Sequence, residues 1–362
     1  GITSGTINLY DRQPQSAGLV NPPTASFGSL TISENGIYNA TSGTTTINGA
    51  PTGSRSWFNQ GTFTHNSGTV AIEFTGTDAV HVDQRASPFY NYEQTLALPN
   101  YRVNYTGDGS PNTFVIENDC TIKEGSFRPA GAAYEILISG ALEVQDGGNF
   151  GYVGGDFGAG ATIGAVAILS GGNFYAPTGT VDIKTDFSQE GGFVHNSGTI
   201  NFDNGTNLFL GSADLLTGAN ALYDVDVSSG QVMIDNCNID IEGDVGGTNG
   251  FVMYNGGTLQ CGTDSTQCTF NASFGLYSNG WASAYLKAKN PLFPVIMQSA
   301  GALSWRTQGG RAFYPSDVDF SSMDIIMPSG ANWVLGGQCE FNALKVDVDA
   351  IFNASGQRAE FG

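Results

Sequence analysis

Apolar and polar residues alternate along most of the chain. Around the turns, stretches such as ALEVQDGGNFGYV and TVDIKTDF alternate apolar with polar residues, the signature of strands with one face buried. The runs are short and are broken by Gly, Asn, Ser and Thr, so the pattern predicts many short strands joined by turns, an all-β chain. One turn motif recurs with an apolar residue after it: KEGSF ending at Phe127, QDGGNF at Phe150, LSGGNF at Phe174 and QEGGF at Phe193, with steps of 23, 24 and 19 residues. A period in this range predicts a solenoid or another array, each repeat one coil that buries its face only by stacking on the next. The glycines of the turn supply positive φ where each coil bends.

A longer unit repeats as well. GTFTHNSGTV (residues 61–70) returns as GGFVHNSGTI (residues 191–200), which sets His65 and His195 130 residues apart. After the first copy come SPFYNY and TFVIENDCTIKEGSF, and after the second NALYDVDV and QVMIDNCNIDIEGDV. A more divergent third unit starts at SDVDF and runs through WVLGGQCEF to FNASG. A catalytic centre seldom occurs twice in one chain, whereas a structural repeat does. The repeated turn positions His65, Asn66, His195 and Asn196 are therefore read as a coil-turn device, with Asn and Ser bonding the backbone.

These stretches resemble the repeats of parallel β-helix surface proteins, found among phage structural proteins and bacterial adhesins. The resemblance covers residues 57–270 well and 300–356 loosely. It implies a right-handed parallel β-helix, and by analogy with phage fibres and spikes a homotrimer. The expected organisation is an N-terminal cap or attachment segment over 1–47, a β-helix over 48–272, a divergent insertion or lateral loop over 273–298, and C-terminal coils with a cap over 299–362. A solenoid must protect its end strands from edge-to-edge pairing, which is why a cap is expected.

Composition narrows the partners. The 362 residues carry 13 Lys and Arg against 33 Asp and Glu, a net charge of −20, so the mean surface repels phosphate backbones, and no nucleic acid is expected as a partner. Aromatic content of 11% with few charges argues against disorder. Five cysteines, Cys120, Cys237, Cys261, Cys268 and Cys339, are an odd number, which fits assembly in a reducing cytosol better than a fully paired secreted scaffold. The first residues, GITSGTINLYDRQ, lack the basic and apolar regions of a secretory leader. The longest apolar stretch, residues 159–169, is well short of the ~20 residues of a membrane span, so no span is expected.

Candidate chemistry is sparse. A metal at the histidines would need more ligands than His81, the one further histidine, supplies, and neither metal nor cofactor is expected. Cys120, Cys237 and Cys339 each precede an alternating strand and read as one recurring buried position. Cys261 and Cys268 are read as inert core thiols, with closure of a small loop or a shared metal as the alternatives. Acidic pairs recur at Asp224 and Asp226, Asp317 and Asp319, and Asp347 and Asp349, where residues i and i+2 share the outer face and the Val between them enters the core. Such pairs would otherwise serve calcium or glycoside cleavage. Trp57, Tyr90, Tyr92, Trp281, Trp305 and Trp333 are read first as core residues of a solenoid, and as candidates for surface contact, stacking on sugar rings or anchoring a protein interface, if exposed.

The expected function is that of a virion structural protein of a bacterial virus: a fibre, spike or capsid-decorating protein, assembled in the host cytoplasm and displayed on the particle, touching neighbouring virion proteins and a host glycan or receptor. A tailspike polysaccharide depolymerase is the enzymatic alternative. No compact acid and base set emerges for it, so no catalytic residue is assigned and the reading leans away from an enzyme. A bacterial or archaeal adhesin at the cell surface is the third reading.

Overall fold

The computed structural model describes residues 6–9, 24–49, 55–76, 80–85, 87–97, 102–105, 113–129, 135–152, 159–211, 214, 216–253, 257–271, 273–278, 283–297, 304–307, 313–327, 332–346 and 350–361. The chain is a parallel β-solenoid of about 12 turns. Among the described residues the sole helical element is a single 3-10 turn, Gly218–Asn220, and no helix is long and apolar enough to cross a membrane. Contacts divide the chain into two compact units, Gly1–Val181 and Asp182–Gly362.

In the first unit, strands of successive coils pair in register, so that each inward position forms a column through the stack. One column runs Thr45, Val70, Tyr92, Cys120, Leu142 and Val166. Its neighbour runs Ile47, Ile72, Gln94, Ile122, Val144 and Ile168. The residues between them point outward, which is how the period-2 pattern becomes a core. Gln94 is buried in an otherwise apolar column, and its amide is satisfied by the Glu124 carbonyl (3.2 Å) and the Tyr92 hydroxyl (3.4 Å).

A second face of this unit is aromatic. Phe127, Phe150 and Phe174 pair in register and are fully buried. Their rings stack at 5.8 Å and 4.9 Å between centroids, close to the ~4.8 Å separation of neighbouring strands. The residues that end the first three turn motifs are thus rungs of one aromatic column. The turn glycines Gly125, Gly147 and Gly171 hold φ of 77°, 82° and 84°, as the motif predicts. Gly191 and Gly192 of the fourth copy are not among the positive-φ glycines.

The second unit follows the same plan. One column runs Ile200, Val225, Val245, Phe270 and Met297, and another face carries Ala284, Phe313, Trp333 and Phe352 in register. Two segments set apart in the sequence carry strands of the ladder. Residues 24–47, assigned to a cap, already form strands in the ladder, with Thr24–Phe27 on Thr44–Ile47 and Ser29–Ile32 against Trp57–Asn59; residues 10–23 lie outside the described residues. The segment 273–298, expected as an insertion, supplies regular rungs: Ser273–Ser278 pairs with Gly250–Met253, and Ala284–Ala288 with Gly257–Cys261. Its outward residues include Tyr285 and Lys287, whose bulk masks the alternation in the sequence.

Candidate functional site

The two HNSGT turns have nearly the same geometry. Asn66 and Ser67 hold φ of 47° and 58°, Asn196 and Ser197 of 46° and 60°, and Gly68 and Gly198 each donate their N–H to the histidine carbonyl at 2.9 Å. Two left-handed residues closed by an i to i+3 bond make a type I′ turn. Asparagine tolerates this backbone and serine does so less readily. The histidine offsets that cost: the Ser67 N–H donates to His65 Nδ1 at 2.9 Å, and the Ser197 N–H to His195 Nδ1 at 2.8 Å. Asn66 Nδ2 donates to the Ala40 carbonyl of the preceding coil at 2.8 Å.

The other ring nitrogen reaches across the coils. His65 Nε2 lies 3.0 Å from Glu117 Oε2, and His195 Nε2 lies 3.3 Å from Glu242 Oε2. Each imidazole also stacks on a tyrosine, Tyr90 on His65 at 5.3 Å and Tyr223 on His195 at 5.2 Å, with interplanar angles of 23° and 20°. With Nδ1 accepting a backbone N–H, the imidazole proton belongs on Nε2, where it is donated to the carboxylate. Each latch therefore spans a turn, a stacked ring and an acid on three different stretches of chain. Both imidazole nitrogens are engaged, so neither is presented to a substrate, as proton transfer would require.

The latch partners carry a sequence signal that histidine spacing alone does not reveal. Glu117 lies in Ile-Glu-Asn-Asp and Glu242 in Ile-Glu-Gly-Asp. The aspartate of each motif is itself a bracket: Asp119 Oδ1 accepts the Ala141 N–H at 2.9 Å, and Asp244 Oδ1 the Thr269 N–H at 2.7 Å. This alignment makes Val245 the counterpart of Cys120. Cys120 and Cys339 lie on one sheet and Cys237 on another, so the three cysteines do not share one position.

Relief of the serine strain is measurable. Ser67→Gly and Ser197→Gly are each expected to stabilise the fold by about 0.5 kcal/mol, because the left-handed penalty slightly exceeds the entropy that glycine adds to the unfolded chain. Thermal denaturation of each single variant beside the parent checks the sign.

All five cysteines are buried and free. Burial raises the Cys120 thiol well above its ordinary range, and it pushes Cys237 and Cys339 up to about 12. The Cys237 thiol donates to the Leu210 carbonyl at 3.1 Å, and Cys261 bonds the thiol of Cys268. Unfolded thiols ionise near ~8.5, so above that pH the unfolded chain holds fewer protons than the native one. Stability is then complete below ~8.5 and declines as pH rises toward the native values. Urea midpoints measured from neutral pH into the alkaline range should fall, and an aromatic disulfide reagent should titrate the five thiols only after unfolding.

The acidic pairs separate. Asp224 and Asp226 share the outer face of one strand around the buried Val225, and desolvation followed by the charge of Asp224 raises the Asp226 carboxyl. Asp317 instead occupies a corner with φ of 59° and bonds the Gln338 N–H at 3.2 Å, while Asp319 is in the following strand. Asp347 and Asp349 lie outside the described residues. Among the described residues no three of His, Cys, Asp and Glu gather as a metal would require.

The aromatic candidates divide the same way. Trp57, Tyr92 and Trp333 are completely buried, which gives these three the core role and rules out surface contact for them: each sits at an inward position of its strand. Trp57 packs edge-on against Phe63 and Phe89 at 4.9 and 5.0 Å, and Trp333 against Phe313 at 5.0 Å. Tyr90 belongs to the first latch. Trp281 and the side chain of Trp305 lie outside the described residues. An exposed tyrosine, Tyr285, stacks on the half-buried Tyr314 at 4.9 Å and 14°, which motif reading overlooked because neither residue is in a repeated word.

No protein-family model matches the chain, and no curated protein or solved structure matches it either.

Proposed function

We propose that this chain is a structural and adhesive protein of a bacterial virus, a fibre, spike or capsid-decorating protein whose task is binding. One observation carries the non-catalytic part of that reading. The chain's recurring histidine motif spends both ring nitrogens in both copies, one on closing its own turn and the other on a glutamate of a later coil. Side chains used in this way specify register and stiffness. A net charge of −20 favours solubility at high local concentration, and buried thiols do not cross-link neighbouring copies. Placement on a virion rests on the resemblance of the HNSGT and Gly-Gly repeats to phage surface proteins, as does a homotrimeric assembly.

The test is gold-labelled antibody against the chain, imaged by electron microscopy on particles and cells of the source culture. Label at defined positions on virions is the expected result. Label confined to cell envelopes makes the chain an adhesin instead. Incubation with host surface glycan should release no oligosaccharide; release that disappears in Asp224→Asn/Asp226→Asn would replace binding by depolymerisation.

A further inference from the structure

The second unit carries a surface groove of about 270 Å³ with two chemically different walls. Pro291, Leu292 and Pro294 form one, and Asp317, Asp319 and Glu340 form the other. The apolar wall is a pinned turn. The Leu292 N–H donates to Asn290 Oδ1 at 3.0 Å and the Phe293 N–H to the Asn290 carbonyl at 2.9 Å. Asn290 Nδ2 in turn reaches the Asp264 carbonyl at 2.8 Å, and Gln267 Nε2 the Pro294 carbonyl at 2.9 Å. Tied at both ends, this turn holds Leu292 82% exposed, the most exposed large hydrophobic side chain among the described residues.

The acidic wall is set by register. Asp319 pairs with Glu340, and Glu340 with Glu360, on successive coils, so acidic residues follow one another at the ~4.8 Å spacing of neighbouring strands, where like charges destabilise each other. Glu360 is paired with Arg358. Asp319 accepts the Ser321 N–H at 2.7 Å, and no Lys or Arg among the described residues pairs with Asp319 or Glu340. The groove thus offers an apolar strip beside uncompensated negative charge.

We propose that this groove docks a lysine or arginine side chain borne on an extended segment of a partner polypeptide. A basic side chain is the group that matches both walls at once, because its alkyl stem lies on apolar surface while its head reaches charge. The stem covers Leu292 and the two prolines, and the head sits between Asp319 and Glu340. A bare divalent cation would answer the acidic wall and leave Leu292 in water. The field of a chain with net charge −20 draws such a segment in from a distance. This inference holds whether the chain is carried on a particle or on a cell.

The probe is a fluorescent, acetylated hexapeptide alternating valine and lysine, read by anisotropy with the full chain at about 50 mM and about 500 mM salt. Asp319→Asn/Glu340→Gln should weaken binding about tenfold. A charge-matched control at exposed sites elsewhere, Glu73→Gln/Glu190→Gln, should change it less than about twofold, since distant surface charges are screened. Leu292→Ser should cost about threefold and keep that effect at high salt, because apolar contact is not screened. Absence of peptide binding, an equal loss in the control pair, or indifference to Leu292→Ser would each overturn the proposal. So would a concentration-dependent dimer abolished by Leu292→Ser, which would give the groove to a second copy of the chain.

Discussion

Truncation of Phe150 to alanine is expected to cost the first unit about 3–5 kcal/mol. The ring is wholly buried and is stacked on both sides, on Phe127 at 5.8 Å and on Phe174 at 4.9 Å. Its removal loses apolar burial and leaves a hole that the neighbouring coils cannot close, because the backbone hydrogen bonds of the ladder fix their separation. In a solenoid each coil owes much of its stability to the interface with its neighbours, so a gap in the middle of the column weakens two interfaces at once. Equilibrium urea unfolding of Phe150→Ala should show a clearly lower midpoint. Leu169→Ala, at a position 38% exposed in the same unit, should lie within about 0.5 kcal/mol of the parent. Equal effects at the two positions would mean that the aromatic column does not hold the coils together.

The same column explains what the sequence makes legible. Period-2 alternation and the spacing of Phe127, Phe150 and Phe174 depend only on residues within one coil or one coil apart, and both survive into the structure as strands and stacked rings. The latch was only half visible. His65 and His195 are flanked by identical words, but their acids lie 52 and 47 residues further on, because the coils between them differ in length and a parallel ladder fixes spatial neighbours without fixing sequence distance. Cysteine position misled for the same reason: Cys120 and Cys237 follow similar words but fall on different sheets. Tryptophan exposure was not legible either. Whether Trp57 or Trp333 faces water depends on the phase of a three-residue strand, too short for alternation to establish. The groove was invisible, since Leu292, Asp319 and Glu340 meet only through the stacking of coils.

Gly68→Ala is the second substitution with a large expected effect, and it bears directly on the latch. A methyl group at this position would overlap the Thr41 carbonyl oxygen and lie 2.6 Å from that of Gly43, both backbone atoms of the coil before. Backbone held in a ladder cannot move aside as a flexible side chain can, so the turn itself must shift. The shift would stretch the 2.8 Å bond from the Thr69 N–H to the Gly43 carbonyl and the 2.8 Å bond from Asn66 Nδ2 to the Ala40 carbonyl, and it would carry His65 away from Glu117. The expected cost is about 3 kcal/mol or more, opposite in sign to the gain from Ser67→Gly one residue earlier. Hydrogen exchange locates the damage: the Thr69 amide should lose protection in Gly68→Ala while amides of the Phe127–Phe150 rungs keep theirs at conditions where the protein stays folded. A Gly68→Ala protein with the parent's melting temperature and an equally protected Thr69 would show that the turn is not clamped against its neighbouring coil, and the histidine would then have no register to hold.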